Sequence, residues 1–143
     1  MLELYFSCLL SIFVTTSYGS YLETLIFKKK SREIDISEDG LKGIIFLSFL
    51  ALILNFFFPL NKDICTFIFI LGLILGIKKK IYINITYLLS VSLITFILLS
   101  YSNINRPDAG LYHLPITSII TESKIIIGSA NIHFRFGHGS LVQ

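Results

Sequence analysis

The chain has 143 residues, 54% of them hydrophobic and only 15% charged, with a formal charge of +3 and a mean hydropathy of +0.78. A soluble domain carries about 25% charged residues. This composition therefore excludes an ordinary globular core and leaves lipid as the natural solvent for the apolar excess; the basic residues stand in short clusters beside apolar runs, which excludes a nucleic-acid-binding stripe.

The first apolar segment is Leu4–Phe27. Its hydroxyl residues Ser7, Thr15, Thr16 and Ser17 are tolerable in lipid because they can bond back to helix carbonyls. Glu3 stands where a secretory signal has basic residues, and no small-x-small cleavage site follows, so the segment reads as a span and not a leader. Glu23 is placed to pair with Lys28–Lys30 or to snorkel beside them; these lysines and Arg32 stop the segment. Glu33–Gly40 is expected to be an exposed acidic connection. Leu41–Leu60 is the second span, ending in Phe56, Phe57, Phe58 and Pro59, and Asn61–Asp63 reads as a polar turn. Ile64–Ile77 rises only about 21 Å as a helix, against a hydrocarbon core of about 30 Å. Two readings stand, a re-entrant segment or a short span. The short span is preferred, because Lys78–Lys80 can snorkel at one end and the Asn61–Asp63 turn can lie among headgroups at the other. Ile81–Tyr101 is long enough to cross unaided. Cys8 and Cys65 both lie in apolar runs and are expected to pack as small hydrophobes. The Asn84-Ile85-Thr86 sequon abuts the membrane and reads as chance.

The expected architecture is thus an all-α membrane protein with about four transmembrane helices (4–27, 41–60, 64–77, 81–101) and a tail, 102–143. Four spans place Lys28–Lys30, Arg32, Lys42 and Lys78–Lys80 on one side, and Lys62, Arg106, Lys124 and Arg135 on the other. The positive-inside rule makes the first side cytoplasmic. The protein is then multi-pass in the inner (plasma) membrane, with residues 102–143 extracytoplasmic.

The tail differs in kind. All three histidines, His113, His133 and His138, lie there, with two of the three arginines. Gathered polar and ionisable residues beyond a membrane exit are where chemistry is placed. Asp108 has two readings. As an N-cap it would start a helix over about 109–123, whose apolar residues Leu111, Tyr112, Pro115, Ile116, Ile119 and Ile120 share one face at the membrane interface. As a carboxylate at the mouth of a membrane cavity it would be a general base or a divalent-cation ligand. His133 and His138 are five residues apart with no helical zinc spacing, so no metal site is assigned to them. Arg135, within NIHFRFGHG, has two readings also: a phosphate-holding residue acting with His133, or an interfacial residue reaching headgroups between Phe134 and Phe136.

Leu41–Asp63 (LKGIIFLSFLALILNFFFPLNKD) and Tyr101–Gln143, above all DAGLYH and NIHFRFGH, resemble a poorly characterised family of bacterial polytopic membrane proteins. That family more loosely resembles the GT-C type membrane glycosyltransferases. The second resemblance implies transfer of a sugar from a polyprenyl-phosphate donor during cell-surface glycan assembly. It also implies a catalytic acid after a membrane exit, which Asp108 matches, and substrate-binding roles for Tyr112, His113, His133 and Arg135. The departure is that GT-C enzymes place this acid after the first span, and here it follows the fourth. Gly137–Gln143 reads as the start of a further helix near residue 139, so the chain is expected to be the N-terminal part of a larger fold, inactive by itself. A transporter or polysaccharide-handling protein without catalysis here, and a small membrane adaptor, are the other two functions that the sequence admits.

Overall fold

The computed structural model describes residues 1–27, 34–101 and 114–125. Every element described is helical: α1 (Leu2–Phe27), α2 (Ile36–Phe57), α3 (Lys62–Lys78), a 3-10 turn (Ile81–Asn84), α4 (Ile85–Tyr101) and α5 (Leu114–Glu122). The chain packs as two units. One comprises Met1–Leu47 and Phe67–Ser102; the other comprises Ser48–Thr66 and Asn103–Gln143. α1 and α2 are each long and apolar enough to cross a membrane.

The helix boundaries follow from capping. α2 starts five residues before the expected span, because Asp35 is its N-cap. The Asp35 carboxylate accepts from the backbone N–H groups of Ser37 and Glu38 at 2.9 and 3.1 Å, and Glu38 and Asp39 lie in the positive first turn. Ile36–Gly40 is therefore helix rather than exposed connection, and both Ile36 and Asp39 are buried. The C-terminal end comes earlier than expected. The last helical bond runs from Phe58 N to Leu54 O, and Phe58 is turned out of the helix by the ring of Pro59. Asn61 then caps α3, its side chain accepting from Ile64 N at 3.1 Å. Lys62 and Asp63, expected in the turn, belong instead to the first turn of α3. At the far end Lys80 adopts a left-handed conformation, φ 56°, which stops α3 and redirects the chain into the 3-10 turn. Cys65, expected to be packed, is exposed, whereas Cys8 is buried.

The first unit is organised around α1. Lipid tails are as apolar as leucine, so helices in lipid are held by close approach and polar bonds, not by hydrophobic burial. α1 meets both requirements. A Cβ on Gly19 would overlap the carbonyl oxygen of Asp39, and one on Gly43 would overlap that of Thr15; only glycines let α1 and α2 approach this far. On α3, Gly72 and Gly76 repeat the device: a Cβ on Gly72 would stand 2.7 Å from Val14 and 2.8 Å from the Tyr18 ring, and one on Gly76 would overlap Phe13 and Ser17. The Tyr18 hydroxyl donates to the Ile68 carbonyl of α3 at 2.7 Å. α4 lies along α1, with Tyr5 edge-on to Phe96 at 6.0 Å.

Among the described residues, hydroxyl side chains are buried beside apolar ones, while many large apolar side chains are exposed. The buried side chains of α1 include Thr16, Ser17 and Ser20, and Ser92 of α4 is buried too, while Ile44, Ile45, Phe49, Ile53, Leu93, Ile94 and Leu98 are exposed. The hydroxyls of Ser7, Thr15 and Ser17 bond back to carbonyls in the preceding turn, as expected, and Thr24 does the same; Thr16, expected to do so too, makes no such bond among the described residues.

The close approach makes a paired prediction. Alanine gains roughly 1 kcal/mol of helix propensity over glycine. At Gly40 the added methyl would meet only Thr16 Oγ1 at 3.7 Å, so Gly40→Ala should leave the stability in detergent unchanged or slightly raised. Gly19→Ala and Gly43→Ala must push two helix backbones apart and should lower stability by about 1–3 kcal/mol despite the same gain. Thermal unfolding followed by circular dichroism ranks the three. Equal behaviour of Gly40→Ala and Gly19→Ala would show that the helices do not cross at these glycines.

Candidate functional site

The five residues expected to act, Asp108, Tyr112, His113, His133 and Arg135, lie outside the described residues, as does the proposed start of a helix near residue 139. Of the expected interfacial helix 109–123, the part described is α5, Leu114–Glu122. Tyr112 and His113 immediately precede α5, and His133 and Arg135 follow it. The anchoring of α5 is therefore the described geometry that bears on all five.

That anchoring centres on Asn55, a residue that passed unremarked in the second apolar run. Asn55 is buried within the last turns of α2. Its Nδ2 lies 3.3 Å from the carbonyls of Ile120 and Ser123 and 3.4 Å from that of Phe58, two protons shared among three acceptors. Its own backbone carbonyl accepts from Ile125 N at 3.0 Å, and Leu60 N donates to Ile120 O at 3.0 Å. Carbonyls at a helix C-terminus lack intrahelical donors, and Asn55 supplies one to the end of α5 and to the end of α2 together. The sequence held a usable signal: a lone asparagine in a phenylalanine-rich span is costly in lipid and marks a structural or functional role. On α5, Pro115, Ile116, Ile119 and Ile120 are half-buried, whereas Thr117, Ser118, Thr121 and Glu122 are exposed, the two-faced pattern of an interfacial helix.

In the first unit, polar bonds gather four chain segments at one end. Lys42 of α2 donates to Glu23 of α1 at 2.6 Å and to Glu38, one turn earlier, at 2.7 Å. Lys79, just past α3, donates to Thr24 of α1. Asn84 of the 3-10 turn donates to the Ile34 carbonyl, just before α2, at 3.1 Å. Glu23, expected to look to Lys28–Lys30, has Lys42 as its described partner; the three lysines themselves lie outside the described residues. Asn84 of the sequon thus has a structural task, holding the entry to α2. Deeper in α1, Thr16 Oγ1 is fully buried without a hydrogen-bond partner among the described residues, an arrangement that costs about 1–3 kcal/mol.

Asn55→Leu keeps the volume and removes the donor. It should free the α5 end, raising amide hydrogen exchange at Ile119–Ile125 while exchange within α1 stays the same. Unchanged protection of Ile125 would show that the backbone bonds alone hold α5.

Comparison with curated proteins and with solved structures returned no match. A family model matches residues 1–142, essentially the whole chain, and the protein belongs to that family, a domain of unknown function (DUF8201).

Proposed function

We propose that this protein is a multi-pass integral membrane protein with four crossing helices, and that its tail takes part in transferring a sugar from a polyprenyl-phosphate donor. One observation carries the topology. The C-terminal end of α1, the start of α2, the end of α3 and the entry to α4 are tied together at one end of the unit by Lys42, Lys79 and Asn84. Helices that run alternately up and down have their ends gathered in this way. The lysines at this end are those that positive-inside places in the cytoplasm. Exposure supports the membrane reading. Only 11% of the most apolar window of α2 is buried, whereas a soluble core helix would be mostly covered. α3, at 17 residues, reaches about 25 Å, and Lys62 and Lys78 at its ends can snorkel across the remainder.

The chemistry rests on the residue resemblance. In that reading Asp108 removes the proton of the acceptor hydroxyl, and Arg135 with His133 holds the donor phosphate through charge-assisted bonds. Tyr112 and His113, next to α5 in the sequence, position the sugar. The Asn55 anchor supports it by fixing the segment between these residues near the end of α2.

Two experiments test the two parts. In a background lacking Cys8 and Cys65, Lys62→Cys should react with a membrane-impermeant maleimide in intact cells, and Lys78→Cys should react only after lysis. The same labelling at both positions would mean that α3 does not cross. For the chemistry, membranes from cells that carry Asp108→Asn in the native gene, supplied with a radiolabelled polyprenyl-phosphate hexose, should lose transfer by about 10²–10⁴-fold, since an amide cannot act as the base. Insertion should be preserved. Full transfer by the Asn variant would remove Asp108 from the chemistry.

A further inference from the structure

The three consecutive lysines that close α3 and follow it are not equivalent. Lys79 is half-buried and spends its ammonium group on Thr24. Lys78 and Lys80 are exposed and make no ion pair among the described residues. Lys80 is also the only non-glycine among the described residues at positive φ. A lysine there costs more than a glycine would, because the left-handed region crowds the Cβ against the carbonyl. Close to Lys78 and Lys80 in the chain are exposed apolar and amphipathic side chains: Ile77 at 63% exposure, Tyr82 at 51% and Ile85 at 45%. Exposed cations flanked in the chain by exposed isoleucines and a tyrosine suit the boundary between lipid headgroup and acyl chain.

We infer that Lys78 and Lys80, with Tyr82, form a binding site for an anionic phospholipid headgroup of the leaflet on this side. The lysines hold the phosphate, and Ile77 and Ile85 contact the acyl chains. Lys79 is excluded from the site because its role is to join α3 to α1. The choice of a phospholipid over a soluble anion follows from the exposed isoleucines, which a small hydrophilic anion would leave uncovered. The inference rests on the membrane reading proposed above.

The test uses the whole chain reconstituted in phosphatidylcholine vesicles, with spin-labelled phosphatidylglycerol and phosphatidylcholine as probes of lipid contact. The wild type should prefer phosphatidylglycerol, and the preference should shrink as salt screens the charges. Lys78→Gln with Lys80→Gly should lower the preference by about fivefold or more, the ratio one lysine contributes at an anionic surface. Lys80→Gly alone should lower it while leaving thermal stability equal or higher, because glycine removes the charge and relieves the backbone together. Lys79→Gln should lower thermal stability and leave the preference unchanged. Equal preference in the double variant and the wild type overturns the inference, as does a loss confined to Lys79→Gln. Displacement of the labelled lipid by millimolar inorganic phosphate also overturns it, pointing to a soluble anion. Failure of the membrane reading looks different: the wild type would remain soluble without detergent and would contact neither labelled lipid.

Discussion

The close approach of α1 to α2 at Gly19 and Gly43 is the constraint on which the rest of the first unit depends. At this crossing the carbonyls of Asp39 and Thr15 stand directly over glycine Cα atoms, where each Cα–H···O contact contributes about 0.5–1 kcal/mol. The register it sets has consequences along both helices. It buries Thr16 and Ser20 on the inner face of α1 and Asp39 on α2, and it brings Lys42 within reach of Glu23. A shift by one residue would rotate each of these groups off the shared face. The opposite face of α1 is committed as well, to Gly72 and Gly76 of α3. α1 thus has little surface left for lipid in its middle, although it is the least uniformly apolar of the long helices.

The polar content of α1 and its central place have one physical cause. Hydroxyl and glycine residues give poor contact with lipid, but they permit short interhelical distances and keep their own hydrogen bonds within the helix. Ser17 bonds to Phe13 O and Thr15 to Ser11 O, so neither needs a partner across the interface. Leucine, isoleucine and phenylalanine, which would fill a soluble core, are more useful facing outward. Ile44, Phe49 and Ile53 on α2 and Ile94 and Leu98 on α4 are exposed, as the proposed membrane setting requires.

Long apolar runs made the existence of four helices before the tail legible, because that signal is summed over some twenty residues. Their ends were less legible where one short side chain decides them. EIDISEDG reads as hydrophilic when its residues are counted, yet it contains Asp35 with Glu38 three residues on, a capping pattern, and the helix begins there. Pairings across the sequence were not legible at all: Glu23 with Lys42, Lys79 with Thr24 and Tyr18 with Ile68 depend on the helix register, which the glycines determine. The glycines carry no such signal in the sequence, since only a partner backbone reveals why a Cβ is forbidden. For the site, the sequence pointed to the tail's ionisable residues, and the described geometry adds Asn55, whose meaning depends on three carbonyls that lie in two segments far apart in the chain.

Asn55 also shows how differently the two units are held. The first unit has glycine crossings, a buried tyrosine bond, an ion pair and two further polar ties, distributed over α1, α2, α3 and the 3-10 turn. α5 is anchored chiefly through one amide side chain and the backbone bonds at Leu60 and Ile125. Interhelical polar bonds in membrane proteins average only about 0.6 kcal/mol each, so local opening of the α5 anchor costs far less than separating α1 from α2. The segment closest in sequence to Tyr112 and His113 is therefore attached through a small number of replaceable bonds to the end of a rigid helix. The same economy explains why the anchor is an asparagine. Its amide carries no charge to desolvate when the contacts form, and it offers donors to the carbonyls of both helix ends at once.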